Sequence, residues 1–283
     1  MNKKSPRTWL ITGADKGLGL SAAKAALDAG DNVIVTVLAV DGSHVFNSEY
    51  TRDRFRAIHL DASDLKRIDS VAAQAEQAFG GIDVLVNNAG YGLLGVAEET
   101  PAEKYRALFE VNFFGLVEMT RAVLPGMRRR RSGRILNLSS IGGFGAAPGF
   151  AFYAASKFAV EGYSESLAQE LKPLGIHVTI IEPAGFRSDF AGPSLDSALG
   201  TIDDYRTSAQ AHVKNYIATR HGSQINDPAK FGPAICRLVD AAEPPLRQPL
   251  GKDGYEFVRD TCLQVLTEIE QWKELAYSTT SEI

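Results

Sequence analysis

Tyr153 and Lys157 lie four positions apart in the sequence. In a helix this spacing places both side chains on one face, where the ammonium group could favour the phenolate and lower a pKa that is ordinarily about 10. A phenol tuned in this way could donate or accept a proton near neutral pH. Ser140 lies at the end of an apolar run, where its hydroxyl could sit beside the phenol. The pattern predicts proton transfer, although a Tyr and a Lys at this spacing also occur as an ordinary surface pair.

The segment 134–172 is expected to position these residues as a strand, a loop and a helix. The apolar run at 135–138 is typical of a strand, and a glycine-rich loop follows it as far as Gly149. A helix is predicted from about Tyr153, and Pro173 and Gly175 provide its stop signals. Its apolar stripe at one-turn spacing consists of Ala159, Tyr163 and Leu167.

A second glycine-rich turn follows the first predicted strand, residues 8–12. Gly13 can take a tight turn, Gly17 lets the backbone approach a pyrophosphate, and Gly19 permits close packing of the following helix, whose N-terminus attracts phosphates. A strand at 33–38 completes a unit typical of dinucleotide binding. A glycine-rich turn without a ligand is the alternative.

Polar turns also follow other predicted strands. Asp61 ends a strand at 57–60 and is either a nucleotide contact or a plain turn residue, and Asp64 is the expected cap of the next helix. The apolar run at 82–86 leads into Asn-Asn-Ala-Gly, whose amides can fix the turn. The strand at 177–181 leads into the turn at 183–188.

The alternation of strands and helices predicts an α/β fold. We expect a Rossmann-type doubly wound parallel sheet of about seven strands with helices on both faces. Ligands bind such sheets beyond the carboxyl ends of the strands, where all of these turns lie. A last strand at 246–250 contains Pro249 and is therefore expected at an edge.

Composition limits the possible functions. The 283 residues are 45% hydrophobic and 23% charged, with a net charge of −4. One domain is expected, with an insertion around 189–226 that shapes a substrate pocket. The charge argues against nucleic acid as a partner, and the four arginines at 128–131 are interpreted as a solvated helix end. The apolar run at 9–11 is too short for a signal peptide or membrane span, which favours a cytoplasmic protein without membrane association.

The C-terminal part of the chain carries weaker signals. Cys236 and Cys262 lie in helix-like segments without ligand spacing, so we expect buried or half-buried free thiols and no metal site. A closing helix is predicted from Gly254 to about Ala276, with Trp272 packed against the fold.

Together these motifs resemble the short-chain dehydrogenase/reductase family. The resemblance rests on Thr-Gly-x-x-x-Gly-x-Gly from Thr12, Asn-Asn-Ala-Gly from Asn87, and Ser140 ahead of Tyr-x-x-x-Lys from Tyr153. It covers the first two-thirds of the chain, and the segments at 113–115 and 187–190 are similar to a hydroxysteroid dehydrogenase-like branch. Ala184 and Ser188 stand where the family usually has Gly and Thr.

The resemblance implies an oxidoreductase that transfers a hydride between a nicotinamide cofactor and a carbonyl or alcohol. Ser140 would bond the carbonyl oxygen, Tyr153 would act as general acid or base, and Lys157 would hold the ribose. Ser139 is the neighbouring alternative to Ser140. Asn112, an unfavourable residue inside a helix at 101–131, would mark a joint whose freed carbonyl holds a proton-relay water; a surface position or a simple kink is the alternative.

The implied cofactor contacts combine the glycine turn, the strand ends and the catalytic helix. They are Gly13, Asp15, Lys16, Gly17, Leu18, Gly19, Leu38, Asp61, Ala62, Asn88, Ala89, Gly90, Tyr153, Lys157, Pro183, Ala184, Gly185 and Ser188. The Ser188 hydroxyl would bond the nicotinamide carboxamide.

The end of the second strand normally distinguishes NAD from NADP, because a carboxylate there binds a free ribose hydroxyl and repels a 2′-phosphate. Val37 and Leu38 are neither acidic nor basic. Lys16 can reach a 2′-phosphate and favours NADP, although it could be simply solvated and NAD is possible. His44 and Arg52 are further candidates.

Two other functions stay open at this point. The chain could be an NAD-dependent alcohol dehydrogenase, or a catalytically silent nucleotide-binding regulatory or scaffold protein of the same fold. By analogy with the family, a homodimer or homotetramer is expected.

Overall fold

The computed structural model describes residues 5–38 and 53–281. His44 and Arg52 lie outside the described residues. The strands are β1 (Thr8–Ile11), β2 (Asn32–Val37), β3 (Phe55–His59), β4 (Val84–Asn87), β5 (Gly92–Gly95), β6 (Gly133–Leu138), β7 (Ile176–Pro183), β8 (Leu195–Ala198) and β9 (Arg247–Leu250). The helices are α1 (Gly17–Asp28), α2 (Leu65–Phe79), α3 (Ala102–Phe109), α4 (Gly115–Arg130), α5 (Ala151–Leu171), α6 (Ala209–Thr219), α7 (Phe231–Asp240), α8 (Lys252–Gln271) and α9 (Lys273–Tyr277).

A seven-stranded parallel sheet organises the described chain, in the order β3-β2-β1-β4-β6-β7-β9. Side chains alternate across a strand, so Trp9 and Ile11 enter one apolar core while Leu10 enters the other. Helices α1 and α7 cover the first core, and α2, α4 and α5 cover the second. The predicted doubly wound fold is confirmed, and β9 with Pro249 lies at the expected edge.

The structure adds two features between the predicted elements. Strands β5 and β8 form a small parallel sheet that ties the segment after β4 to the 189–226 insertion, a pairing that the sequence did not predict. The helix joint predicted near Asn112 is a π-helical turn, Glu110–Phe114, between α3 and α4. Within the insertion, the expected amphipathic piece is α6.

The closing helix is far more exposed than predicted. Trp272 was expected to pack but is 66% exposed, and Cys262 is an exposed thiol rather than a buried one. Only Gly254 of α8 is buried, so most of its apolar residues face solvent. Amphipathic spacing predicted the helix correctly, but it gives no information on whether a second element covers the apolar face.

Membrane crossing was tested on the described helices. Within residues 5–38 and 53–281, no helix combines the length and the apolar character that crossing a membrane requires.

Helices α1 and α7 approach each other closely because α7 carries a glycine at the contact. The Gly232 amide donates to the Ser21 hydroxyl at 3.0 Å, and that hydroxyl donates to the Pro228 carbonyl at 2.7 Å. A Cβ at Gly232 would meet the Ser21 carbonyl oxygen and lie 2.8 Å from the Ala25 Cβ. Any side chain at Gly232 must therefore push the two helices apart.

Buried carboxylates meet an arginine between α5, β7 and β9. The Arg247 guanidinium contacts Glu161 at 3.1 Å and Glu165 at 2.7 Å, and its Nε lies 4.0 Å from Glu182. Glu182 is fully buried, and within the described chain neither of its carboxylate oxygens has a hydrogen-bond partner. Burial raises the pKa of Glu182 to about 8, with Glu161 adding to the rise and Arg247 opposing it. The carboxyl is therefore favoured in its protonated form.

The close contact at Gly232 predicts a loss of stability on substitution. We expect Gly232→Ala to lower the free energy of unfolding by roughly 1–3 kcal/mol, because the added methyl overpacks the interface. Gly162→Ala is the matched control, since a Cβ at this exposed position in α5 meets no described atom within 4 Å. That control should be neutral or slightly stabilising. Equal melting temperatures for the two variants would contradict the packing.

Glu182 predicts a pH dependence of stability. The folded chain binds this proton more tightly than the unfolded chain, whose carboxyl has the ordinary pKa of 4.5. The contribution of this protonated carboxyl to the free energy of unfolding is therefore fully present below about pH 4.5 and is lost as the pH rises through about 8. Between about pH 4.5 and about pH 8, the free energy of unfolding of Glu182→Gln should fall by at least about 2 kcal/mol less than that of the wild type. Urea unfolding at the two pH values measures this difference.

The control for this titration is Glu103→Gln, which removes a carboxylate from an exposed position on α3. It should leave the slope of stability against pH unchanged. If Glu182→Gln keeps the wild-type slope, the buried carboxyl does not titrate in this range.

Candidate active site

The predicted site residues meet at the carboxyl edge of the sheet, around a cavity of about 1110 Å³. This volume is slightly above the usual range for small-molecule sites, roughly 300–1,000 Å³. The predicted residues that line it are Gly13, Asp15, Lys16, Gly17, Leu18, Leu38, Asp61, Ala62, Asn88, Ala89, Gly90, Ser140, Tyr153, Lys157, Pro183, Ala184, Gly185 and Ser188. Gly19 and Asn112 are not among the lining residues.

The glycine turn after β1 carries no side chain at Gly13 and Gly17, so a ligand in the cavity can approach its backbone. Gly13 and Gly17 have φ angles of +61° and +58°, which side chains rarely adopt, and a Cβ at Gly13 would lie 2.9 Å from the Ala89 Cα. Gly19 packs against the Asn88 side chain, as expected for the glycine that permits close helix packing. Lys16 is exposed at the N-cap position of α1. The unpaired amides of the first helical turn and this cation fit the phosphates of a dinucleotide.

The two asparagines after β4 hold neighbouring turns in place. Asn88 donates to the carbonyls of Thr12 and Gly13 at 2.8 and 2.7 Å, and the Thr12 hydroxyl accepts from the Asn88 and Ala89 amides at 3.0 Å. Asn87 donates inward to Thr120 and Asn137. The predicted role of these amides in fixing the turn is confirmed by these bonds.

Asp61 has the turn role that its position suggested, and its contact with a nucleotide stays a prediction. It lines the cavity, and its Oδ1 accepts from the Ser63 amide at 2.9 Å and the Ser63 hydroxyl at 2.7 Å. Asp64 occupies the N-cap position of α2, but its side chain makes no capping bond. The prediction of Asp64 as a capping side chain is therefore wrong, because Asp61 makes the local side-chain bonds one turn earlier.

Helix α5 brings Tyr153 and Lys157 to one buried face beside the end of β6. They are 6% and 5% exposed, and the Lys157 Nζ lies 5.9 Å from the Tyr153 ring centroid while it donates to the Leu138 carbonyl at 2.8 Å. Ser140 follows β6 and hydrogen-bonds the Tyr153 phenol. Its Oγ also accepts from the Gly142 amide at 3.0 Å. The alternative of an ordinary surface pair is excluded by this burial.

The electrostatics of the pair differ from the expectation. Burial raises the pKa of Tyr153 above its ordinary value, and the Ser140 hydrogen bond opposes the rise. Burial also lowers the pKa of Lys157 to about 8, with the Glu161 carboxylate opposing. The predicted lowering of the Tyr153 pKa by Lys157 is therefore wrong: desolvation dominates, and Ser140 is the neighbour that favours the phenolate.

Ser139, the neighbouring alternative to Ser140, is buried and turned toward α5. Its hydroxyl donates to the Lys157 carbonyl at 3.5 Å. Ser140 rather than Ser139 contacts the phenol.

Asn112 lies in the π-helical turn and is buried. Its Oδ1 accepts from the Tyr91 amide at 3.0 Å, and its Nδ2 donates to the Tyr91 carbonyl at 3.0 Å and the Ser156 hydroxyl at 3.2 Å. A Cβ at Gly90 would lie 3.0 Å from the Asn112 Oδ1 and 3.6 Å from the Lys157 Nζ. Burial excludes a surface position, and the side chain clamps the turn after β4 beside the lysine. The water relay stays a prediction.

The turn after β7 faces the cavity with Pro183, Ala184, Gly185 and Ser188. The Ala184 amide donates to the Leu250 carbonyl at 2.9 Å, so Ala is accommodated where the family usually has Gly. The Ser188 hydroxyl accepts from the Phe190 amide at 3.4 Å. Its contact with a carboxamide stays a prediction.

Several cavity residues were not identified from the sequence. Phe190 lies 5.5 Å from Tyr153 between ring centroids, and Phe150 lies 6.2 Å from Tyr153 and 5.0 Å from Tyr216. Arg220 and Gln224 also line the cavity. The amphipathic pattern ending near 217 was the available signal for Tyr216, whereas the positions of the others depend on how the insertion folds back.

Comparisons with known proteins agree with this geometry. A family profile described as short chain dehydrogenase matches residues 7–198. Oxidoreductase BOA17 of Botryotinia fuckeliana is 34% identical over 274 residues, covering 96% of this chain and 99% of that protein. A short-chain dehydrogenase from Streptomyces avermitilis superposes with a TM-score of 0.91 at 39% identity, covering 98% of this chain and 100% of the other.

A second similar structure is a serine dehydrogenase in complex with NADP+, with a TM-score of 0.73 and 25% identity over 85% of this chain and 92% of that one. None of these three proteins is named as a hydroxysteroid dehydrogenase, so that finer assignment stays a prediction. The family profile, the near full-length relatives and the arrangement of the cavity agree. The chain belongs to the short-chain dehydrogenase/reductase family and is an NAD(P)-dependent oxidoreductase.

Proposed function

We propose that this protein interconverts a carbonyl compound and an alcohol, with NADP(H) as the preferred cofactor. The observation that supports the reaction is the buried contact between Ser140 and the Tyr153 phenol at the wall of the cavity, with Lys157 on the same helix face. When bound, the nicotinamide nucleotide supplies or accepts the hydride. The protein has to orient the substrate oxygen and transfer one proton.

Tyr153 is the general acid in reduction and the general base in oxidation. Burial favours the uncharged phenol, which is the form that can donate a proton to a developing alkoxide. Ser140 orients the same oxygen and stabilises the phenolate after the proton has left. Lys157 lies on the same helix face, with its Nζ 5.9 Å from the Tyr153 ring centroid, and is assigned to bind the ribose hydroxyls.

The preference for NADP is supported by Lys16. Its ammonium is exposed at the rim of the cavity and at the start of α1, where a 2′-phosphate can reach it. Leu38, at the end of β2, is 60% exposed and brings no carboxylate that would repel this phosphate. The serine dehydrogenase bound to NADP+ supports the same cofactor. NAD remains the competing cofactor, because the uncharged Leu38 disfavours neither NAD nor NADP.

Several broader assignments belong to the same proposal. We propose one oxidoreductase domain over residues 1–283, in which the 189–226 insertion binds the substrate. The substrate is a small-molecule carbonyl or alcohol, and the predicted cofactor contacts are the residues that line the cavity. Assembly as a homodimer or homotetramer and a cytoplasmic location stay predictions.

Tyr153→Phe tests the proton transfer. We expect turnover of NADPH with a panel of ketones and aldehydes to fall at least about a hundredfold, because the group assigned to protonate the substrate oxygen is removed. The control is Tyr163→Phe on the same helix, which is not among the cavity-lining residues and should keep nearly full activity. Normal turnover by Tyr153→Phe would contradict the mechanism. Tight cofactor binding by the wild type without turnover of any carbonyl or alcohol would instead indicate a silent scaffold.

Lys16→Ala tests the cofactor preference. The dissociation constant for NADPH should rise about tenfold or more, since a charge-assisted bond to the 2′-phosphate is lost, while that for NADH should stay within about twofold. Fluorescence titration with both nucleotides measures the two constants. Lys24→Ala removes a lysine from the same helix outside the cavity lining and should change neither. Unchanged NADPH binding in Lys16→Ala would reject this role.

A further inference from the structure

The cavity has a polar corner on the 189–226 insertion that the proposed reaction does not use. Arg220 lies just after α6 and lines the cavity, and a Cβ at Gly185 would lie 3.0 Å from its Nη2. Within the described residues, no carboxylate lies within ion-pair distance of this guanidinium, in contrast to Lys104, which lies 2.6 Å from Asp196 in the same cavity wall. A cation held in a pocket without a protein anion is suited to an anionic ligand.

Gln224 adds a second observation at this corner. Its side chain is 3% exposed and lines the cavity, and its Oε1 has no hydrogen-bond partner in the described chain. A buried amide oxygen without a partner costs free energy unless a ligand or water satisfies it. A half-turn of the amide exchanges its oxygen and nitrogen, so the group can present an N–H donor to an anion.

Tyr216 connects this corner to the reacting centre. Tyr216 lines the cavity one helical turn before Arg220, whose amide donates to the Tyr216 carbonyl at 3.0 Å. The Phe150 ring lies 5.0 Å from Tyr216 and 6.2 Å from Tyr153 between centroids. Phe190 flanks Tyr153 at 5.5 Å. Phe150 therefore packs against both Tyr216 at the polar corner and the catalytic Tyr153.

We propose that Arg220, Gln224 and Tyr216 form a subsite for a carboxylate on the substrate, in the same cavity as the carbonyl that Ser140 and Tyr153 hold. This inference rests on the proposed function, because it places the reacting oxygen at Tyr153. The substrate class is an aldehyde or ketone with an apolar spacer and a carboxylate at the far end. Asp189 also lines the cavity, and its carboxylate disfavours a second negative charge on the part of the substrate that lies near it.

The test uses the meta and para isomers of formylbenzoate and their neutral methyl esters. Calorimetry on the protein saturated with NADP+ measures binding without reaction, because an oxidised cofactor cannot reduce an aldehyde. We expect the carboxylate of at least one isomer to bind about tenfold or more tightly than its ester. Arg220→Gln should abolish this difference and leave ester binding unchanged. The Kd for NADP+ should also be unchanged.

The matched control is Arg206→Gln, which removes the same charge from an exposed arginine of the insertion that pairs with Asp203 and does not line the cavity. It should keep the preference for the carboxylate. Equal binding of acid and ester by the wild type, or a preference that survives Arg220→Gln, would overturn the subsite.

Two further outcomes separate this inference from its alternatives. If Arg220→Gln weakens NADP+ binding and both probes equally, the arginine serves a cofactor phosphate and the proposed subsite is wrong. If the carboxylate preference depends on Arg220 but no aldehyde is reduced with NADPH, the subsite stands and the proposed reaction fails.

Discussion

The desolvation of Tyr153 and Lys157 on one face of α5 is the constraint on which the rest of the site depends. Burial disfavours the charged form of both groups. It therefore raises the pKa of Tyr153 and lowers the pKa of Lys157. Local hydrogen bonds offset part of this cost, from Ser140 to the phenol and from the ammonium to the Leu138 carbonyl. Both groups line the cavity, where a bound substrate and cofactor can contact them.

The sheet makes this arrangement possible because its parallel strands end at one edge. Strand β6 delivers Ser140, β4 delivers the turn at Gly90 beside Lys157, and β1 delivers the glycine turn. The Asn112 clamp holds the turn after β4 against α5 through Ser156. Glu161, on α5 itself, opposes the lowering of the Lys157 pKa and pairs with Arg247 at 3.1 Å, and the buried Glu182 lies 4.0 Å from the same arginine.

Sequence patterns predicted the elements whose contacts are local or repeated. The continuous apolar runs identified the central strands, and the Tyr153–Lys157 spacing placed both side chains on one face. The direction of the Tyr153 pKa shift could not be predicted, because it depends on how deeply the whole fold buries the phenol. The β5–β8 sheet and the approach of Arg220 to Gly185 join segments far apart in the chain, and no local pattern encodes such contacts. The exposure of Trp272 shows that a correctly predicted amphipathic helix can leave its apolar face open to solvent.

The central claim is that Tyr153 and Ser140 share the substrate oxygen beside the nicotinamide. A crystal structure with NADP+ and a bound alcohol measures this directly. We expect the Tyr153 Oη and the Ser140 Oγ each within hydrogen-bonding distance of the alcohol oxygen, with the Lys157 Nζ on the ribose hydroxyls. A nucleotide bound elsewhere, or an alcohol oxygen out of reach of Tyr153, would contradict the proposed mechanism.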